Sequence, residues 1–147
     1  PGQKSREPDL KEARSLPVLS SNIERDALQK FSFVSPMAAV GACWQVTAEA
    51  MQPGGEKRET FIELIREIQK LAMAMGIALP ENLVEINLKI MDDLAPGATA
   101  SMQRDIAAGK QSEVDGLIYQ VVRLGEEYQV EVPVYKEIGE KLRERLG

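Results

Sequence analysis

The sequence predicts an all-α fold built around one central, buried helix. Three observations favour this fold class. No charged residue occurs from Phe31 to Val46, several later segments repeat apolar residues at helical spacing, and no long segment alternates with the period of a strand. The chain has 147 residues, of which 44% are hydrophobic and 28% charged, and these values suit a single domain with a sizeable core.

The uncharged run from Phe31 to Val46 is predicted to be the central helix. A membrane span needs roughly 20 apolar residues, whereas this run is shorter and contains Ser, Pro and Gln. We therefore predict a helix that is buried on most sides and kinked near Pro36, and no association with a membrane. Cys43, the only cysteine, is interpreted as a buried, unreactive thiol, which excludes an internal disulfide and fits a cytoplasmic protein.

Two amphipathic helices are predicted in the middle of the chain. The break at Pro53-Gly54-Gly55 precedes a helix that carries Phe61 and ends at Gly76, with Met73 and Met75 interpreted as core residues. The next helix is expected to have Pro80 in its first position. Its apolar face is predicted to consist of Leu83, Val84, Ile86, Ile90 and Leu94.

Three further helices are predicted in the C-terminal part. A short helix is expected from Ser101 to Ala108, a longer helix follows a cap at Ser112, and Pro133 begins the last one. Residues 1–21 are polar, contain two prolines and are interpreted as the remnant of a linker. Residues 22–147 are then a single helical domain.

Composition excludes several classes of function. The net charge is -5 and the basic residues are scattered among acidic ones, so nucleic-acid binding is not expected. The chain has no histidine, which excludes Ser-His-Asp and Cys-His catalytic groups and most zinc sites, and no metal is expected. Proton transfer near neutral pH would have to use Lys, Glu, Asp or Tyr.

Lys30 is the first candidate catalytic residue. It lies where a polar helix start meets the uncharged run, so its ammonium group is expected to lose part of its hydration. Such a group can stabilise negative charge that develops on a ketone oxygen during hydride addition, and it can donate the proton. A solvated lysine on an amphipathic helix is the simpler alternative.

Two further candidates lie at predicted helix starts. Glu113 follows Ser112, where a carboxylate can simply complement the helix dipole. Ser101 can be a capping residue, and the free amides of a helix start can also bind a carboxylate. Arg104 and Lys110 flank these positions and could attract an anionic substrate, although two solvated charges are the alternative.

Three segments of the chain carry a family resemblance. They are Asn22-Ile23-Glu24-Arg25-Asp26-Ala27-Leu28-Gln29-Lys30-Phe31, Ser101-Met102-Gln103-Arg104-Asp105-Ile106 and Ser112-Glu113-Val114-Asp115. Together, and with the spacing between the last two, they resemble the signature of the C-terminal domain of ketopantoate reductases (2-dehydropantoate 2-reductases). The resemblance covers roughly residues 22–147 and is strongest over 99–125.

The resemblance implies a fold, a reaction and roles for the candidate residues. The fold would be of the type found in the helical domain of 6-phosphogluconate dehydrogenase, and the whole enzyme would transfer hydride from NADPH to a 2-keto acid in the cytoplasm, as in pantothenate biosynthesis. Lys30 would be the general acid and Ser101 would bind the substrate carboxylate. Glu113 would bind a substrate hydroxyl and lie near the cofactor ribose, while Asp105 would brace the turn before it.

The chain departs from the family pattern in two ways. Ketopantoate-reducing members carry asparagines on the helix after the lysine, whereas here the segment is Phe33-Val34-Ser35-Pro36-Met37-Ala38. Ser32 and Ser35 could replace those amides only in part, so a different keto acid is an open alternative. The chain also lacks the strand, glycine-rich turn and helix of a dinucleotide-binding domain.

These departures shape the functional prediction. The domain of residues 22–147 is expected to bind substrate and to support dimerisation, with NADP held mainly by an N-terminal dinucleotide-binding domain that is absent from this chain. The chain alone is therefore expected to be inactive. The alternative is a non-enzymatic helical module that binds a partner, and such a module has no need to bring Lys30, Ser101 and Glu113 to one surface.

Overall fold

A computed structural model describes residues 21–100, 104 and 114–146 of this chain. Over these residues the chain is helical and contains no strand, which confirms the predicted fold class. The continuously described ranges, 21–100 and 114–146, contain the α-helices α1 (Ser21–Trp44), α2 (Glu56–Ala74), α3 (Leu83–Asp93), α4 (Gln120–Tyr128) and α5 (Pro133–Leu146). A 3₁₀ turn (Ala48–Ala50) follows α1, and a π-helical turn (Asp115–Tyr119) leads directly into α4.

Helix α1 is the central element, as predicted. It packs against α2, α3, α5 and the π-helical turn, and its segment 37–43 is buried. Pro36 lies inside the helix and has no amide hydrogen, so it cannot donate to the carbonyl of Ser32, four residues earlier. Cys43 is buried, and burial raises the pKa of its thiol, in agreement with the predicted unreactive side chain.

The C-terminal end of α2 lies where the sequence predicts it, whereas the start of α3 does not. Gly76 has φ +79° just after α2, the left-handed conformation that glycine favours at a helix C-terminus. Pro80 does not begin α3, because the amide of Leu83 donates to the Pro80 carbonyl (3.2 Å) in a turn that precedes the helix. The prediction of Pro80 at a first helical position is therefore wrong.

The buried faces of α2 and α3 also differ from the prediction. In α3 the buried residues are Leu83, Asn87 and Met91, which recur at every fourth position, while Ile90 is 41% exposed. On α2, Met73 is 80% exposed rather than in the core. Met73 follows Leu71 by two positions, which places it on the opposite side of the helix from that buried residue.

A buried carboxylate from α2 completes the start of α5. Pro133 has no amide hydrogen to satisfy, and the amides of Val134 and Tyr135 donate to the two oxygens of Glu67 at 2.8 and 3.0 Å. The amide of Lys136 donates to the carbonyl of Val132 (3.0 Å). All the amides of the first helical turn are thus accounted for, and Pro133 begins the last helix as predicted.

Arginine side chains join other helix ends. Arg145 in the last turn of α5 donates to the carbonyls of Ala42 and Cys43, the latter at 2.9 Å, at the C-terminus of α1. Arg58 on α2 forms a bidentate ion pair with Asp92 on α3, at 2.7 and 3.1 Å. Two carbonyl groups at the C-terminus of α1 are therefore bound by a side chain of α5, and an ion pair joins α2 to the last turn of α3.

We expect Gly125→Ala to destabilise the domain by about 1–3 kcal/mol, because the backbone at the end of α4 leaves no room for a methyl group. A Cβ at this position would lie 2.8 Å from the carbonyl oxygen of Val130 and 3.0 Å from a methyl carbon of Val132. Urea unfolding measures the change. Gly139→Ala on α5 is the control, since its nearest neighbours would be side-chain atoms at 3.5 Å. Equal stability of the two variants would contradict the expectation.

Candidate functional site

Lys30 lies at the edge of a surface hollow formed by two helices. It is exposed, and it lines a hollow of about 490 Å³ together with residues of α1 and α3. The other lining residues are Asp26, Gln29, Phe33 and Val34 on α1 and Asn87 and Ile90 on α3. The hollow combines one ammonium group, one carboxylate, two amides and apolar walls, a mixture that is typical of a small-molecule site. We call it the Lys30 hollow.

The helical turn that carries Lys30 is fixed by Asn87. The side-chain amide nitrogen of Asn87 donates to the carbonyl oxygen (3.2 Å) and to the hydroxyl oxygen (3.1 Å) of Ser32. The Ser32 carbonyl is the one that Pro36 leaves without its helical donor. The Ser32 hydroxyl in turn donates to the carbonyl of Gln29 (2.5 Å). Asn87 therefore supplies the hydrogen-bond donor that Pro36 lacks, in the helical turn directly after Lys30.

One wall of the Lys30 hollow is held in place by an aromatic pair. The rings of Phe33 and Phe61 meet edge to face, with centroids 5.8 Å apart and an interplanar angle of 82°. Phe61 on α2 is fully buried. Since a buried ring anchors Phe33 from behind, this wall has a fixed shape and keeps its apolar character.

A buried hydroxyl network ties α1 to the π-helical turn. Ser35 donates to the carbonyl of Leu117 (2.6 Å), and its oxygen lies 2.7 Å from the hydroxyl of Tyr135, which donates to it because the serine proton is already used. Burial raises the pKa of Tyr135, so the phenol remains protonated and keeps this donor. The turn that follows residue 113 is thereby attached to the helix of Lys30.

The two serines after Lys30 are not available to a substrate. Ser32 and Ser35 are both fully buried, and each hydroxyl is engaged with protein partners. The expectation that they could partly replace the missing asparagines is therefore wrong. The amide that does line the hollow comes from Asn87, which sequence reasoning missed although its spacing with Leu83 and Met91 marks it as a buried polar residue on α3.

The remaining predicted site residues are placed only in part. Ser101, Glu113, Asp105 and Lys110 lie outside the described residues, so their roles stay predictions. Arg104 is exposed and donates to the carbonyl (3.1 Å) and the hydroxyl (2.8 Å) of Thr99, which occupies at least one of its nitrogens within the protein.

Asp115, the last residue of the family signature, forms an ion pair within the protein. Asp115 forms a bidentate ion pair with Arg123, with both contacts at 3.1 Å. Both side chains are largely exposed, so the pair braces the π-helical turn at the surface and contributes little stability.

Other features of the described residues do not form a competing site. A second hollow of about 530 Å³ lies along the turn between α4 and α5, where Glu126, Glu131 and Lys136 are its charged residues, and neither Lys30 nor Arg104, the described candidates, lines it. Within residues 21–100, 104 and 114–146, no three acidic or cysteine side chains are grouped to hold a metal ion. No helix in this part of the chain is both long and apolar enough to cross a membrane.

Comparisons with known proteins give a consistent result. Residues 22–145 match the family described as "Ketopantoate reductase PanE/ApbA C terminal". A curated 2-dehydropantoate 2-reductase of Pyrobaculum aerophilum is 32% identical over 84 residues, which cover 57% of this chain and 30% of that protein. The chain thus spans less than a third of this relative.

Solved structures share the fold. A dimeric ketopantoate reductase from Staphylococcus aureus superimposes with a TM-score of 0.79 at 22% identity, over 88% of this chain and 45% of that chain. A D-mandelate dehydrogenase, solved with NADH and anilino(oxo)acetate, gives a TM-score of 0.76 at 19% identity, over 86% and 42%. With the family match spanning most of its length, this chain belongs to the ketopantoate reductase family and forms that family's helical C-terminal domain.

Proposed function

We propose that this chain is the substrate-binding domain of an NADPH-dependent 2-keto-acid reductase, with ketopantoate, the precursor of pantoate in pantothenate biosynthesis, as the first candidate substrate. The observation that carries this proposal is the position of Lys30 at the edge of a hollow with apolar walls and a buried amide. Family membership supports the reaction class. The substrate is a separate question, because a D-mandelate dehydrogenase shares the fold.

The chemistry assigned to this chain is binding and proton transfer. NADPH, when bound, supplies the hydride to the carbonyl carbon of the keto acid. The ammonium group of Lys30 stabilises the negative charge that develops on the carbonyl oxygen and donates its proton to that oxygen, which yields the 2-hydroxy acid. We assign Ser101 to the substrate carboxylate, and Glu113 to a substrate hydroxyl and to the cofactor ribose.

The cofactor is assigned mainly to a different domain. The described helices contain no strand–turn–helix unit of the kind that binds a dinucleotide. We therefore propose that an N-terminal dinucleotide-binding domain provides NADPH, that the Lys30 hollow faces it, and that this chain alone is inactive. A cytoplasmic homodimer is the proposed form, since the Staphylococcus aureus relative is dimeric.

The test of this proposal is a substrate panel on the protein that joins this chain to a dinucleotide-binding domain. We expect loss of nicotinamide absorbance when NADPH is mixed with a 2-keto acid, and no loss without the keto acid. The panel contains ketopantoate, phenylglyoxylate and branched-chain 2-keto acids, with NADH in parallel. If no keto acid is reduced with either dinucleotide, the proposal fails and a helical interaction domain becomes the better description.

A second candidate is a reductase of a different 2-keto acid. Val34 favours it, because this side chain lines the hollow four residues after Lys30, on the segment where ketopantoate-reducing members carry asparagine. The substrate panel separates the two candidates by their kcat/KM values.

A further inference from the structure

We propose that Asp26 makes the Lys30 hollow selective against 2-keto acids that carry a second carboxylate. The inference rests on the proposed function and goes beyond it, because it concerns the charge that the site tolerates on the side chain of its substrate. The carboxylate of Asp26 lines the same hollow as the ammonium group of Lys30. Asp26 determines specificity in this proposal and takes no part in proton transfer.

Asp26 and Lys30 occupy the same side of α1. They are four positions apart, so Asp26 lies one helical turn before Lys30, about 6 Å along the helix axis. Among the described residues that line the hollow, these two are the charged ones. A small molecule whose carbonyl oxygen meets the ammonium group of Lys30 is therefore also close to a negative charge.

The charge of Asp26 is only weakly offset within the protein. Its carboxylate pairs with the guanidinium group of Arg25 at 3.6 Å, and the two side chains are 72% and 45% exposed. An exposed ion pair of this kind is held loosely and contributes little. Arg25 is not among the residues that line the hollow. A ligand in the hollow therefore encounters the carboxylate more directly than its counter-ion.

The described lining of the hollow offers a second carboxylate no cation of its own. Under the proposed mechanism Lys30 is engaged by the carbonyl oxygen, and Phe33, Val34 and Ile90 form apolar walls. Such walls remove water from a carboxylate without hydrogen bonding to it, which is unfavourable. Asp26 adds like-charge repulsion over a distance that salt screens incompletely, since the Debye length is about 8 Å at physiological ionic strength. Only this second contribution depends on Asp26.

The test compares two substrates of the same size that differ in charge. In 5-methyl-2-oxohexanoate an isopropyl group replaces the distal carboxylate of 2-oxoglutarate. Both are assayed with the protein that joins this chain to a dinucleotide-binding domain, as wild type, Asp26→Asn and Asp26→Lys. We expect the wild type to prefer the uncharged side chain. The ratio of the two kcat/KM values should fall by roughly threefold to tenfold in Asp26→Asn, and further in Asp26→Lys.

Ionic strength and a control variant isolate the repulsion. The difference between wild type and Asp26→Asn should shrink in 1 M salt, where the Debye length is about 3 Å. Glu126→Gln removes the same charge from the hollow between α4 and α5, and its ratio should stay within about twofold of wild type. Both substrates are measured on one preparation, so differences in folded fraction or in NADPH binding cancel in the ratio.

The outcomes distinguish this proposal from the proposed function. A ratio that is the same in wild type, Asp26→Asn and Asp26→Lys overturns the role of Asp26, because the apolar walls then set the preference alone. An equal change in Glu126→Gln overturns it as well, since the net charge of the protein would be responsible. Either result leaves the reductase function standing. Reduction of neither substrate, nor of any other 2-keto acid, overturns the proposed function itself.

Discussion

Replacing Lys30 by alanine is expected to lower kcat of the two-domain enzyme by roughly 10²–10⁴-fold, the usual contribution of a positioned general acid. The ammonium group is lost while the helix remains, because Lys30 is exposed and alanine favours helices. Lys30→Arg should recover little activity, since the guanidinium group does not release its proton near neutral pH. Steady-state kinetics on 2-keto-acid reduction measure the effect.

Lys89→Ala is the matched control for Lys30. Lys89 is also an exposed helical lysine, but it lies on α3 outside the Lys30 hollow and pairs with Asp93 at 3.6 Å. We expect its kcat to stay within about twofold of wild type, as for other exposed surface changes. If Lys30→Ala retained activity close to that of Lys89→Ala, Lys30 would be a solvated lysine and not the acid.

Replacing Glu67 by methionine is expected to destabilise the domain by about 2–4 kcal/mol, because two buried amides at the start of α5 lose their acceptors. The side chain of Glu67 is 96% buried, and it accepts from the amides of Val134 and Tyr135. Glu67→Gln keeps one acceptor oxygen and should fall between wild type and Glu67→Met. Chemical denaturation of the chain measures these free energies of unfolding.

Because Glu67 can bind a proton, its contribution to the free energy of unfolding depends on pH. Burial raises the pKa of Glu67 above its ordinary value of 4.5, and the hydrogen bonds from Val134 and Tyr135 offset only part of that rise. The folded state therefore holds the proton more tightly than the unfolded state. As the pH rises from about 4.5 through the raised pKa, this group contributes progressively less stability.

A comparison of variants isolates the titration of Glu67. Glu67→Gln does not titrate, so the stability of the wild type relative to this variant should shrink as the pH rises through that window. Glu59→Gln on the same helix is the control, because Glu59 is exposed and is not among the groups that shift the pKa of Glu67. Its effect should stay within about 0.5 kcal/mol at each pH. A pH-independent difference between wild type and Glu67→Gln would contradict the assignment.

The parts of the fold that the sequence predicts correctly are those governed by local rules. Gly76 ends α2 because it adopts a positive φ, and Pro133 begins α5 because a first helical position needs no amide hydrogen. The burial of α1 follows from its uncharged run. Pro80 was assigned by the same rule as Pro133 and lies in a turn instead, since nothing local distinguishes a proline in a turn from one that begins a helix.

The misassigned faces and the site depend on tertiary contacts. Met73 and Ile90 are apolar yet exposed, and hydrophobicity alone does not reveal which side of a helix meets its neighbour. Asn87 is buried where its side-chain amide donates to a carbonyl of α1, and that carbonyl has no donor within its own helix because of Pro36. Lys30 is a candidate because of its position at the border of the uncharged run, and the family resemblance gives it the role of the acid. Asn87, which lines the same hollow, is identified only when the helices are packed together.

The helix ends described above depend on one another. Glu67 on α2 completes the first turn of α5, and Arg145 in the last turn of α5 completes the end of α1. Asn87 on α3 donates to the carbonyl in the middle of α1 that has no donor within its own helix. Neither α1 nor α5 satisfies all of its own backbone groups, so the loss of α2, α3 or α5 leaves unpaired polar groups in a neighbouring helix. Such dependence makes unfolding cooperative, and stability is a property of the whole domain rather than of any single helix.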